Sequence, residues 1–153
     1  MTSYKEDEVG WALEQAELAR RGAVNSLDLE HIAEELEEMA DSRKDAVSSY
    51  INRLIHHMLK WKYQPEKRTR SWEDSIDGSR EQIFRKTKGR HGSTVVYNEI
   101  PDYIKDEYPS AVKKAMKETG LPRTTFPNEC EWTREQLLEE DFYPKSVEED
   151  KTP

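Results

Sequence analysis

Apolar side chains along this chain recur at helical rather than strand spacing. Val9, Ala12, Leu13 and Ala16 fall at i, i+3, i+4 and i+7, one face of a first helix. Ser3 and Glu6 have the spacing of a capping box, so this helix is expected to open near Ser3. Arg20-Arg21-Gly22 should close it, with cations at the negative end of the helix dipole and a glycine free to turn left-handed. A longer series starts after Asp28, a good N-cap. Leu29, Ala33, Leu36, Ala40, Arg43, Val47, Tyr50, Leu54, His57 and Trp61 step alternately by four and three, and eight of these ten are apolar. Ile32, Met39, Ile51, Ile55 and Met58 widen this seam to a bundle-type face. The series ends at Tyr63, before Pro65. A helix over 28–63 would be about 54 Å long, and a first helix of about 17 residues covers half of it. Asp41 and Ser42 are weak helix formers and mark the expected bend.

The remaining chain continues in the same idiom. Pro65 sets a loop over 64–70. Ser71 is expected to cap a third helix, with Asp74 reaching back and Trp72, Ile76, Ile83 and Phe84 on its apolar face. Lys86, Lys88 and Gly89 should end it. Residues 90–98 read either as a loop or as a short helix from about Ser93. Ile104, Tyr108, Ala111, Val112, Ala115 and Met116 line a helix from Pro101 to Thr119, which Pro109 should kink or divide. Gly120-Leu121-Pro122 terminates it. Thr133 and Gln136 form a capping box for a short helix over 135–140. Residues 145–153 read as an acidic, disordered tail. The expected fold is therefore all-α: a helical bundle over residues 1–144, built on an antiparallel helix hairpin with one long, bent second helix.

Composition sharpens this picture. Charged residues make up 37% of the chain and hydrophobic ones 34%, so core material is scarce and has to be well placed. One cysteine excludes an internal disulfide framework and a Cys-rich zinc site. No apolar run is long enough for a membrane span. The first eight residues are acidic and lack an apolar stretch, so no secretory signal and a cytoplasmic location are expected. The net charge of −8 is a sum of opposed blocks. Residues 1–41 carry 3 basic and 12 acidic side chains, whereas residues 60–91 carry 10 basic and 5 acidic ones. Such acidity argues against a general nucleic-acid coating protein. In a compact fold the opposed blocks are expected to pair.

Three stretches together carry a resemblance. The first is Trp11-Ala12-Leu13-Glu14-Gln15-Ala16 followed by Leu27-Asp28-Leu29-Glu30 and Ala33-Glu34-Glu35-Leu36-Glu37. The second is Leu59-Lys60-Trp61-Lys62-Tyr63-Gln64-Pro65-Glu66 with Arg68, Ser71 and Trp72. The third is Glu118-Thr119-Gly120-Leu121-Pro122, Phe126-Pro127, Cys130, Trp132-Thr133, Gln136-Leu137-Leu138 and Asp141-Phe142-Tyr143-Pro144. In this order, over residues 4–144, the chain resembles the bacterial domain of unknown function 29 family, chiefly cyanobacterial. Its departures lie in 88–109, where Pro101 and Pro109 interrupt a smoother helix. The resemblance implies an all-α fold and supplies no activity, so no catalytic residue carries over.

Candidate chemistry centres on residues 60–72. Lys60, Lys67, Arg68 and Arg70 stand among Trp61, Tyr63 and Trp72, with Lys62 between the first two rings. Cations beside stacking rings are what single-stranded nucleic-acid binding uses. The competing expectation, which is favoured, has the two tryptophans packing a tight turn and the cations in solvent or paired to the first helix. Glu30 and Glu34, and His31 and Glu35, share helix faces, with His56 and His57 further on. Asp28-x-x-His31 is the nearest approach to the Glu-x-x-His repeat of di-metal bundles, so neither a metal nor a cofactor is expected. His57 reads as a core histidine, and Arg43 as a register-setting residue. Cys130, between Glu129 and Glu131, reads as structural. There is no Gly-rich phosphate loop, no Gly-x-Ser-x-Gly and no His-Glu-x-x-His. The expected function is a non-catalytic protein-interaction or self-associating module using surplus stripe on the second helix, with a partner protein or homo-oligomer. The alternatives are a nucleic-acid-binding module using 60–91 and a metal-dependent enzyme.

Overall fold

The computed structural model describes residues 1–151. Helices are α1 (Glu8–Arg20), α2 (Leu29–Tyr63), α3 (Arg70–Thr87), α4 (Thr94–Thr119), α5 (Arg134–Leu138) and α6 (Val147–Asp150). The described residues hold no strand, as the spacing predicts. They fall into two compact units, the first Met1–Ser42 and the second beginning at Arg43. The boundary lies within α2, next to the expected bend, although the helix runs unbroken through Asp41 and Ser42.

In the first unit, Asp7 rather than Ser3 is the N-cap of α1. Its carboxylate accepts from the Gly10 amide at 2.9 Å, while the Ser3 carbonyl closes a preceding turn. A charged acceptor complements the helix dipole better than a hydroxyl. The side chain lies over Gly10, where an added Cβ would collide with the Asp7 Oδ2 atom. The buried face of α1 is Trp11, Gln15 and Leu18, while the expected face leaves Val9 71% and Leu13 69% exposed. Hydrogen bonding explains the difference. The Trp11 indole donates to Asp28 at 3.0 Å, and Gln15 accepts from the Asp28 amide at 2.8 Å. Tyr4 stacks on His31, with centroids 4.2 Å apart, and donates to Glu35 at 2.5 Å. Partners thus run 15 to 28, 11 to 31 and 4 to 35, the signature of the predicted antiparallel hairpin. Gly22, at φ 73°, closes α1 in the left-handed conformation.

The second unit holds the larger core. Val47, Ile51, Leu54, Ile55, Met58 and Leu59 of α2 are fully buried, together with Ile76 and Ile83 of α3 and Ile100, Ala111 and Val112 of α4. Lys44 bonds Glu99, Asn52 bonds Glu107, and Gln64 bonds the Thr119 carbonyl, each pair 55 residues apart. This constant offset means that α2 and α4 run parallel. Thr69, not Ser71, caps α3, and its buried face includes Ser75, Ser79 and Arg80 while Phe84 is exposed. Helix α4 starts at Thr94 under a Ser93 cap and continues through both prolines. Pro101 and Pro109 are exposed, so each removes a hydrogen bond only on the outer side while the opposite face stays packed. The Tyr97 carbonyl that Pro101 leaves without its amide accepts from Arg134 at 3.3 Å. The capping box of α5 forms as predicted. The expected disordered tail is instead ordered at its start. Ser146 is buried and caps α6; positions 152 and 153 lie outside the described residues.

Candidate functional site

Lys60, Trp61, Lys62, Tyr63, Gln64 and Arg68 are engaged by later parts of the chain. Lys60 is buried, donates to Glu118 at 2.6 Å and lies 4.4 Å above the Trp72 ring. His56 reaches the same Glu118 oxygen at 2.7 Å. Lys62 donates to Glu131 at 2.7 Å. Arg68 donates to the Trp61 carbonyl and forks onto Glu149 at 2.8 and 3.2 Å, with its guanidinium 4.8 Å from the Trp61 ring. Trp61 packs on Tyr143, and Tyr63 meets Phe126 edge-on. Trp72 is half-buried, and Lys67 and Arg70 are exposed. The cations were expected to find solvent or the first helix; three of them find carboxylates from 118–149 instead.

Electrostatics follow this saturation. Burial lowers the pKa of His56 and of His57, whose Nδ1 donates to the Arg53 carbonyl at 2.9 Å. Burial would raise Glu118, but Lys60 and His56 pull it below the usual carboxylate range. The Arg68 fork lowers Glu149 to about 2. With His56 neutral, its Nε2–H donates to a Glu118 charge already held by Lys60. Lys60 and His56 thus share one oxygen of Glu118.

Two features escape pattern reading. Arg80 is 5% exposed, and its guanidinium donates to the carbonyls of Leu137, Gln136 and Glu140 at 2.6, 3.4 and 3.3 Å. It thereby caps the C-terminal end of α5. Its pKa is lowered, chiefly by burial. In the first unit, His31 Nδ1 meets Asp28 at 2.7 Å, which raises the His31 pKa and lowers that of Asp28. A polar residue inside an otherwise unremarkable helix carries no apolar signal, so only the fold reveals the role of Arg80; the Asp28-x-x-His31 spacing is visible in the sequence, but the bonds of Asp28 to Trp11 and Gln15 are not.

An open cleft of 490 Å³ lies beside α4, bordered by Lys105, Tyr108, Pro109 and Cys130. Burial pushes the Cys130 thiol up to about 11, and its Sγ–H donates to the Trp132 carbonyl at 3.6 Å. A neutral thiol so placed is not a nucleophile. Among the described residues no three His, Cys, Asp or Glu side chains converge where a metal would sit. Nor is any described helix long and apolar enough to cross a membrane.

The open surface lies elsewhere. The first helix was expected to cover half of the α2 stripe; the C-terminal half, over residues 47–61, is covered by later helices. There Val47 and Leu54 are fully buried in the core formed with α3, α4 and α5, and Tyr50 and Trp61 pack against it. The uncovered part is the N-terminal half of α2. Leu29 is 63%, Leu36 57% and Met39 48% exposed, and Ala33 and Ala40 are exposed with them. The hairpin leaves this side open because α2 is engaged on another face, through His31 by Trp11 of α1 and through Glu35 by Tyr4 ahead of α1.

No curated protein and no solved structure matches the chain. Residues 3–143 match the family described as Domain of unknown function DUF29, in line with the three stretches quoted above, and the chain belongs to that family.

Proposed function

We propose that this chain is a non-catalytic docking module whose working surface is the open seam of α2: Leu29, Ala33, Leu36 and Ala40, with Met39 beside it. The observation that carries this reading is their shared exposure on one helix face. Burying a leucine or methionine side chain fully contributes about 1.5–3 kcal/mol, so the three large side chains, roughly half exposed, hold about 3–5 kcal/mol in reserve. A regular stripe of this kind is commonly an interaction surface. From Val47 onward the seam turns inward: Val47 and Leu54 belong to the core of the second unit, and Tyr50 and Trp61 pack against it.

The nucleic-acid alternative draws less support. Lys60, Lys62 and Arg68 would have to leave Glu118, Glu131 and Glu149 before meeting phosphate, which leaves Lys67 and Arg70 as the exposed cations of 60–72.

The test is site-specific photo-crosslinking in living cells. A crosslinker at Ala33 should give a discrete heavier species that one at the exposed Lys113 does not. Equal behaviour of the two positions would overturn the proposal. Salt-dependent capture of a single-stranded oligonucleotide, lost in Lys67→Ala/Arg70→Ala, would favour the alternative.

A further inference from the structure

The two borders of the open seam differ in chemistry. At about 100° of turn per residue, Ile32 and Met39 lie on the side toward the hairpin face that carries His31 and Glu35. Glu30, Glu34, Glu37 and Asp41 lie on the other side, about 80–140° round from the seam. All four are exposed, and none forms an ion pair with another described residue. They belong to the block with 3 basic and 12 acidic side chains.

We infer that the segment docking on this seam is an amphipathic helix of another protein, its apolar stripe bordered by Lys or Arg, and not a second copy of this chain. The inference rests on the docking proposal above. A second helix packed on a four-three seam brings its own border residues against those of α2. An antiparallel copy sets Glu30, Glu34, Glu37 and Asp41 against the same four carboxylates. A parallel copy sets them against Ile32 and Met39, which offer no countercharge and would strip water from the carboxylates. Lys60, Lys62 and Arg68 of a second copy are already bonded to Glu118, Glu131 and Glu149. A helix with Lys or Arg on the matching border buries the leucines and neutralises the carboxylates together, and charge pairing selects it over acidic competitors.

The probes are three synthetic 18-residue helical peptides, titrated into the full chain by fluorescence anisotropy. One has a leucine stripe bordered by lysines, one the same stripe bordered by glutamates, and one the lysines with serines in place of the leucines. The lysine-bordered peptide should bind at least tenfold tighter than either of the others, and raised salt should weaken it. Leu36→Ser should weaken binding about tenfold, the loss of most of one leucine's burial. Because Leu36 is exposed, that variant should keep the helical circular dichroism of the parent. Glu30→Lys/Glu37→Lys should reverse the preference between the two leucine peptides. Equal binding of those peptides, lysine-peptide binding that survives Leu36→Ser, or no binding overturns the inference. So does sedimentation as a dimer that Leu36→Ser dissolves, an outcome that would leave the docking proposal standing; only equal crosslinking from positions 33 and 113 would remove both.

Discussion

Replacing Arg80 by methionine isolates what a buried guanidinium contributes here. Methionine keeps the length and apolar body of the side chain and removes every donor. Three carbonyls lose a partner, but not equally. Leu137 is fully buried, whereas Gln136 and Glu140 are exposed residues whose carbonyls water can reach. An unsatisfied buried acceptor costs about 1–3 kcal/mol, and loss of a cation at a helix C-terminus about 0.3–1 kcal/mol more. Against this, removing the charge recovers the desolvation that lowers the Arg80 pKa. The net expectation is about 2 kcal/mol of destabilisation. With a urea m-value of about 2 kcal/mol/M for a chain of this size, the midpoint should fall by about 1 M. Circular dichroism at helical wavelengths reads the midpoint. Proteolysis at residues 139–145 should also accelerate, since Arg80 holds that segment. Arg80→Lys should recover little, because a point-like ammonium cannot serve three carbonyls in a fork. A methionine variant as stable as the parent would refute the reasoning and mean that desolvation cancels the hydrogen bonds.

Other expectations follow from the same geometry. Ser79 is buried, and its hydroxyl has no hydrogen-bond partner among the described residues, so Ser79→Ala should be neutral or raise stability by up to about 1 kcal/mol in urea unfolding. Burial lowers the folded-state pKa of His56 and His57. Below about pH 6.5 the unfolded chain then binds more protons, and stability should fall as pH drops from 7.5 to 5.5. His31, raised by Asp28, opposes this, so His31→Asn should steepen the fall and His56→Gln should flatten it. Cys130, pushed up to about 11 by burial, should resist iodoacetamide at pH 7.5 in the native protein and react on addition of urea.

Helix positions were legible wherever a local rule operated alone. The four-three stepping of α2, the stop at Pro65, the glycine caps at Gly22 and Gly120 and the Thr133 box all appear where the sequence places them. Errors arose where two local signals competed or where burial was polar. Ser3 and Asp7 both offer a cap, and the charged one prevails. Gln15, Ser75, Ser79 and Arg80 occupy buried faces without apolar character, so Val9, Leu13 and Phe84 were assigned in their place. Pro109 suggested a broken helix because the pattern does not say which way a pyrrolidine ring will face. The partners of 60–72 were illegible for a different reason. Glu118, Glu131 and Glu149 lie 58–81 residues away from the cations they bind, and only tertiary structure brings them in. Periodicity likewise showed that α2 has more apolar stripe than α1 can cover, but not which half the rest of the chain would leave open.

Thiol accessibility along α2 tests the open seam most directly. Single cysteines at positions 29, 33, 36, 40, 47 and 54 would be timed against a maleimide in the purified native chain, with Cys130 as the slow internal reference. Fast labelling at 29, 33, 36 and 40, and protection at 47 and 54, is the predicted result. Protection at 33 and 36 in the purified chain would mean that the seam is already covered, and would contradict a surface held open for a partner.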